Sequence, residues 1–176
     1  HSTASDDSYY RWLKPGYVLT GVRITKGSQS EVLEATQVGV DVDGTLTGAG
    51  RVIEPIFEQV TYKVVRYPGY EEAGEEAPYE LLTYGGRMGD GEVPARPGHA
   101  FLGYFAEIDD ATSRMYYDAD GHGVGTWDQY ERRPTGLATQ RTRYVYGVWA
   151  KAVTLTWDSR GGSAVAPTTQ ALVEGA

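Results

Sequence analysis

The stretch YVYGVWAKAVTLTW, residues 144–157, carries the strongest structural signal in the chain. It consists mainly of β-branched and aromatic residues, contains no proline, and has Gly147 as its sole turn-forming residue. This composition is typical of a β-strand. At about 3.3 Å per residue the stretch would be about 46 Å long, more than most strands, so we expect a bend or bulge near Gly147. Both faces are mostly apolar, which predicts a central strand or one that separates the core from a ligand cavity.

Shorter stretches of the same character predict further strands. Each is bounded by clusters of Gly, Pro, Asp or Ser, which favour turns. Apolar residues between positions 55 and 67 also approach the 3.6-residue period of a helix, but the β-branched and aromatic residues there favour a strand. The predicted strands are residues 17–25, 31–43, 57–67, 79–84, 99–108 and 114–118.

The chain is therefore predicted to be all-β, with little helix and about seven to nine antiparallel strands. We expect a single domain over residues 14–176. Two architectures fit this prediction: a β-sandwich, or a single closed antiparallel β-barrel resembling that of the calycins. A closed barrel of about eight strands can hold one small ligand in its lumen, which would accommodate a long strand that is apolar on both faces.

The composition limits the chemistry that the protein can use. None of the 176 residues is Cys, which excludes disulfides, thiolate metal sites and a Cys nucleophile. The net charge of −8 argues against nucleic-acid binding, which relies on clustered Lys and Arg. No apolar run approaches the ~20 residues of a membrane span. The aromatic residues are mainly 14 Tyr and 4 Trp, which keep a polar end.

The N-terminal residues are expected to lie outside the folded domain. The chain begins at His1 rather than Met, and residues 1–13 predict a flexible leader, either the segment after a cleaved signal peptide or the remnant of a tag. A cleaved signal peptide would place the protein outside the cell or at its surface, and the cytoplasm remains the alternative.

Two segments of the chain share one pattern. Residues 15–22 and 97–104 both match P-G-x-h-h-x-G-h, where h is apolar, and each is followed by D-x-D-G-x-x-x-G, at residues 41–48 and 118–125. The pattern predicts an internal duplication of residues 15–66 and 97–157. The alternative is that Pro-Gly and Asp-Gly are simply common turns of β proteins.

The second D-x-D-G segment is a candidate calcium site. Asp118, Asp120 and Asp128 supply hard oxygens on a glycine-rich backbone, the ligands that calcium prefers. The alternative is a β-hairpin turn that binds no metal. No other cofactor is expected.

Glu107 is the candidate catalytic residue. It follows Phe101, Gly103 and Phe105 in a strand pattern, so a buried face would enclose its carboxylate among apolar neighbours. The alternative is a cross-strand pair with Arg114 or Arg143. A buried carboxylate would fit an enzyme built in a barrel pocket, a cyclase, isomerase or hydrolase.

Aromatic residues of the C-terminal half are the candidate ligand contacts. Tyr and Trp offer flat apolar faces together with an OH or NH group, which suits sugar rings and small apolar molecules. We therefore expect a binding domain for a carbohydrate or small apolar molecule, on the surface or in a lumen, with its oligomeric state left open. A structural protein without a ligand is a further alternative. The candidate contacts are Tyr116, Tyr117, Trp127, Tyr130, Tyr146 and Trp149.

Overall fold

A computed structural model of the chain describes residues 14–35, 44–70, 77–131, 138–155, 162 and 168–172. The leader predicted for residues 1–13 lies outside this part, as do residues 36–43, which include most of the first D-x-D-G sequence. The strands are β1 (Tyr17–Lys26), β2 (Gln29–Glu34), β3 (Val52–Gln59), β4 (Thr61–Tyr67), β5 (Tyr79–Thr83), β6 (His99–Phe105), β7 (Met115–Tyr117), β8 (Gln140–Leu155) and β9 (Thr168–Leu172).

The all-β prediction is confirmed for the described residues, which form two sheets and no helix. β1 lies between β2 and β3 in a three-stranded antiparallel sheet. The other sheet has six strands in the order β5-β4-β8-β6-β7, with β9 paired to β8, and it is curled like half of a barrel. Within the described strands β5 and β7 are edges, so a closed barrel or a sandwich stays a prediction.

The strand predicted for residues 57–67 is wrong in one respect, because it is two strands in different sheets. β3 ends at Gln59, and β4 begins at Thr61. Between them the buried Val60 donates its amide to the Gly16 carbonyl at 2.8 Å. No Gly, Pro, Asn or Asp occurs between Gln59 and Thr61, so the sequence does not indicate that the chain changes sheet here.

The bend or bulge predicted near Gly147 stays a prediction for β8, but the strand beside it contains a bulge. The register between β6 and β8 shifts between Phe101 and Gly103, so Leu102 is the extra residue. At Gly147 a Cβ would come within 2.7 Å of the Pro68 carbonyl oxygen. The glycine therefore allows a close backbone approach.

The described chain divides into two compact units. With each unit taken over its described residues only, the first lies within residues 14–63, 81–86 and 127–142, and the three-stranded sheet belongs to it. Its buried side chains include Val18, Val22, Ile24, Tyr62 and Trp127. The second lies within residues 64–80, 87–126 and 143–176. Its buried side chains include Val64, Tyr104, Phe105, Val145 and Val148.

The two copies of the repeated Pro-Gly motif have equivalent surroundings. Each copy provides the central strand of three, β1 between β2 and β3, and β6 between β7 and β8. The motif's first glycine has a positive φ in both copies, 76° at Gly16 and 71° at Gly98. The carbonyl of each accepts an amide hydrogen bond, from Val60 at 2.8 Å and from Ala152 at 3.0 Å.

The β-bulge also recurs at the same motif position. The extra residue is Thr20 in β1 and Leu102 in β6. The next residue is a glycine in both, and an added Cβ would meet a carbonyl oxygen of the adjacent strand at 2.6 Å for Gly21 and at 2.4 Å for Gly103. These shared details support the repeat, while duplication of residues 15–66 and 97–157 stays a prediction.

No helix within the described residues is long and apolar enough to cross a membrane.

Candidate functional site

The bulge in β6 gathers aromatic side chains on one face of the curled sheet. Phe101 lies directly opposite Trp149 of β8 in the antiparallel register. Because Leu102 is extra, the alternation of side chains is reset, and Tyr104 lies on the same face as Phe101 although three positions separate them. The two rings are in contact, with their centroids 5.0 Å apart.

Tyr70, Phe101 and Trp149 form a continuous cluster, which we call the aromatic platform. The Trp149 ring lies 5.8 Å from that of Tyr70 and 5.2 Å from that of Phe101. Trp149 Nε1 donates to the Pro68 carbonyl at 2.6 Å, and the Tyr70 hydroxyl donates to the Ala95 carbonyl at 2.8 Å. All three side chains are half-buried. Trp149 and Tyr70 are therefore held in place by their polar ends, while the three side chains stay partly accessible.

A buried polar group adjoins the platform. Tyr104, which contacts Phe101 of the platform, also meets the ring of Tyr117 at 5.7 Å, and both tyrosines are almost fully buried. The Tyr117 hydroxyl donates to the carboxylate of Glu80. The same carboxylate accepts the Gly89 amide at 3.2 Å. Glu80 is thus a half-buried acid in contact with the aromatic side chains of this face.

Two arginines lie against rings of the same group. The guanidinium of Arg66 in β4 is 5.2 Å from the centre of the Tyr117 ring, and this residue is only 7% exposed. The guanidinium of Arg96 is 5.5 Å from the centre of the Tyr70 ring. Both distances are typical of cation–π contacts. The face thus combines aromatic surface with two positively charged side chains and the carboxylate of Glu80.

Burial keeps both inner phenols protonated. It raises the pKa of Tyr104 to about 12, against a smaller opposing effect of the Arg66 charge. Burial also raises the pKa of Tyr117, and the hydrogen bond to Glu80 adds to the effect. At neutral pH the Tyr117 hydroxyl is therefore a hydrogen-bond donor to Glu80 rather than a proton acceptor.

The aromatic residues predicted to bind a ligand do not share one surface. Trp149 belongs to the platform. Tyr146, three positions earlier in β8, lies on the opposite face, where its ring meets Tyr67 at 6.3 Å. Tyr116 and Tyr117 are fully buried, and ligand binding by them stays a prediction.

Trp127 and Tyr130 belong to the first compact unit. Trp127 is fully buried and packs 5.9 Å from Tyr62. Tyr130 is half-buried, with its ring 5.1 Å from that of Tyr84. Trp127 therefore serves the core of its unit, and ligand binding by Tyr130 stays a prediction.

The burial that would enclose the carboxylate of Glu107 among apolar side chains is not found, and catalysis by Glu107 stays a prediction. β6 ends at Phe105, and Glu107 is exposed in the turn after it. Its amide donates to the Ser113 hydroxyl at 3.1 Å. The prediction extended the alternation of Phe101, Gly103 and Phe105 beyond the strand and through the bulge. The acid that lies among aromatic side chains is Glu80.

Asp118 closes the turn after β7. Its Oδ1 accepts the amides of Asp120 at 3.0 Å and His122 at 2.9 Å. Asp120 and Asp128 are exposed. In the described part of the chain no group of three or more His, Cys, Asp or Glu side chains is arranged to hold a metal ion. Calcium binding by these residues stays a prediction.

Sequence reasoning did not single out Tyr70, Arg66 and Arg96. Tyr70 and Arg96 lie outside the strands, so no periodicity marks them. A signal for Arg66 does exist, since it occupies the β4 face that Tyr62 and Val64 also occupy, and both of those are buried apolar residues. A charged residue in such a series is a candidate functional group.

The first copy of the repeat has one aromatic residue, Phe57, where the second copy has three. The strands and the bulge of the two copies correspond, but the first copy has smaller or less polar residues at the equivalent positions. The positions of Phe101, Tyr104 and Trp149 correspond to Leu19, Val22 and Phe57. The aromatic platform is therefore a property of the second copy and is not required by the shared strand arrangement.

No protein-family model matches this chain, and neither a curated protein nor a solved structure matches it.

Proposed function

We propose that this chain is a ligand-binding β-domain that holds a carbohydrate against the aromatic platform of Tyr70, Phe101 and Trp149. The observation that carries the proposal is the anchoring of two half-buried rings, those of Trp149 and Tyr70. Trp149 Nε1 and the Tyr70 hydroxyl both bond to backbone carbonyls. Rings held in one geometry lose little conformational freedom when a ligand stacks on them, which favours binding.

The surroundings of the platform favour a sugar over a small apolar molecule. A sugar ring has an apolar C–H face that stacks on aromatic side chains and a hydroxyl edge that needs polar partners. Arg96 lies beside the platform and supplies hydrogen-bond donors. An apolar ligand would gain more from an enclosed pocket than from a platform on a sheet face with open edges.

Substitution of Trp149 tests this proposal. Isothermal titration calorimetry with a panel of soluble neutral and acidic oligosaccharides should identify a ligand of the wild-type protein. W149A should weaken its binding at least tenfold, about 1.4 kcal/mol. F57A is the matched control, because Phe57 has the equivalent position in the first copy and should leave binding unchanged. Urea unfolding of both variants checks that they remain folded.

Three results would contradict a carbohydrate-binding platform. The first is no binding of any panel member at millimolar concentration. The second is an equal loss in W149A and F57A. The third is binding of an apolar fluorescent dye but of no sugar, which would assign the face to a small apolar ligand.

An enzyme that uses the same face is a second candidate, favoured by the position of Glu80. Its carboxylate accepts hydrogen bonds from Tyr117 and Gly89, beside the aromatic group. A single carboxylate suits proton transfer, as in an isomerase or cyclase, better than glycoside hydrolysis with two acids. Turnover of the bound sugar, followed by NMR in D₂O, should be lost in E80Q and kept in E58Q, which alters an exposed acid of β3. Binding without turnover would exclude the enzyme and keep the binding domain.

A further inference from the structure

Among the described residues, Arg66 and Arg96 lie beside the aromatic group without an acidic partner. Neither arginine takes part in an ion pair with a described residue. The Nε of Arg66 is buried and has no hydrogen-bond partner in the described part of the chain. The chain has 24 acidic residues against 16 basic ones, so carboxylates are plentiful elsewhere. The lack of an acidic partner for Arg66 and Arg96 among the described residues therefore does not result from a shortage of acidic residues in the chain.

The burial of Arg66 makes its lack of an acid costly. A buried charge destabilises a protein unless it is paired, and a buried donor without a hydrogen-bond partner adds a further penalty. The contact with the Tyr117 ring, at 5.2 Å, offsets part of this cost. Glu80 shares Tyr117 with Arg66, but it is bonded to the Tyr117 hydroxyl and the Gly89 amide. An anion bound nearby would offset part of the remaining cost through its charge alone.

One irregular segment, residues 88–98, connects both arginines to the platform. Gly91 lies against the guanidinium of Arg66, where a Cβ would come within 2.6 Å of Nη1. Further along, the Ala95 carbonyl accepts the Tyr70 hydroxyl, and Arg96 stacks on the same Tyr70 ring. Arg96 thus adjoins the platform directly, and Arg66 adjoins it through the rings of Tyr117 and Tyr104.

We propose that the ligand of the platform is an acidic carbohydrate, whose carboxylate or sulfate group is bound by Arg96 in the positive potential that Arg66 adds. The proposal rests on the binding function proposed above. The planar guanidinium group presents paired N–H donors that match an oxyanion. Arg96 is half-buried and stacked on Tyr70, so its orientation is already restricted before the ligand arrives.

Calorimetry with three matched probes tests this inference. The probes are a uronic-acid-containing tetrasaccharide, its carboxyl-reduced neutral form, and a sulfated derivative of the neutral form. Wild-type protein should bind an acidic probe at least tenfold more tightly than the neutral one at low salt. This preference should decrease as the salt concentration rises. R96Q should reduce the preference to less than threefold, whereas R23Q, which removes an exposed charge from β1, should retain it.

The outcomes separate this inference from the proposed function. Equal affinity for acidic and neutral probes, with loss in W149A, would overturn the anion inference and keep the carbohydrate platform. Binding of no probe would overturn both. A preference that is as large in R96Q as in wild type would overturn the role of Arg96. Tighter binding of the uronate or of the sulfated probe decides which oxyanion the face accepts.

Discussion

Substitution of Gly103 by Ala tests whether the bulge in β6 builds the aromatic face. Gly103 has a φ of 137°, and an added Cβ would lie 2.4 Å from the Tyr117 carbonyl oxygen in β7. A backbone atom cannot rotate away as a flexible side chain can. The variant must therefore separate β6 from β7 or shift the bulge, and either change disturbs the contacts of Tyr104 with Phe101 and Tyr117.

The expected magnitude is the sum of two costs. A backbone conformation that side chains rarely adopt costs about 1–3 kcal/mol, and overpacking adds about 1–3 kcal/mol. The free energy of unfolding of G103A should therefore fall by about 2–6 kcal/mol. Gly98 is the matched control, because it also has a positive φ, 71°, but no atom within 4 Å of an added Cβ. G98A should cost only about 1–2 kcal/mol.

Urea unfolding followed by tryptophan fluorescence measures both variants against wild type. Near-UV circular dichroism should also change in G103A, because aromatic side chains of the face lose their fixed packing. G21A provides a second comparison, since its Cβ would meet the Leu33 carbonyl oxygen at 2.6 Å in the first copy. It should destabilise the protein and leave the platform's ligand binding intact. Equal losses in G103A and G98A, with an unchanged aromatic spectrum, would refute the reasoning.

Two further predictions concern pH. Burial raises the pKa of Tyr104 from 10.0 to about 12, so the unfolded chain loses this proton first. The difference in pKa between the folded and unfolded states contributes about 2–3 kcal/mol to stability. This contribution is complete below pH 10 and is lost as the pH rises towards 12. Urea unfolding of Y104F should show a smaller alkaline loss, and an equal loss would contradict the prediction. Hydrogen bonds from the Thr45 hydroxyl and the Leu46 amide lower the pKa of Glu31. The hydrogen bonds to the Glu31 carboxylate are complete when the pH is above the ordinary pKa of the group. They are lost as the pH falls through its lowered pKa in the folded protein. NMR should show smaller protection factors for amide exchange at Thr45 and Leu46, after correction for the intrinsic rate, in acid and at neutral pH in E31Q; unchanged protection in E31Q would contradict this.

The strands were predictable because their residue types are local information. β1, β6 and β8 contain the β-branched and aromatic residues that mark them in the sequence. The division at Val60 was not predictable, since strand-forming residues continue while the chain passes from one sheet to the other. Glu107 was misplaced for a similar reason: the alternation that enclosed it stops at Phe105.

The candidate site depended more strongly on long-range pairing. Trp149 could be named from its place in an apolar strand, but its neighbours Tyr70 and Phe101 are far from it in the sequence. Tyr116 and Tyr117 have the residue type of ligand contacts, and only their burial shows that they belong to the core. The partner of a carboxylate or guanidinium likewise depends on which strands are adjacent.

By itself the sequence determined that the protein is all-β and cysteine-free, and that one Pro-Gly motif with a later glycine occurs twice. These properties come from residue composition and from spacing along the chain. The tertiary structure alone decided that Phe101, Tyr104 and Trp149 share a face, and that Arg66 is buried beside them with no acidic partner among the described residues. The physical reason is that one extra residue, Leu102, reverses the alternation of every later side chain in β6. The position of this bulge cannot be inferred from the residue types of β6, because it depends on how β6 pairs with β8.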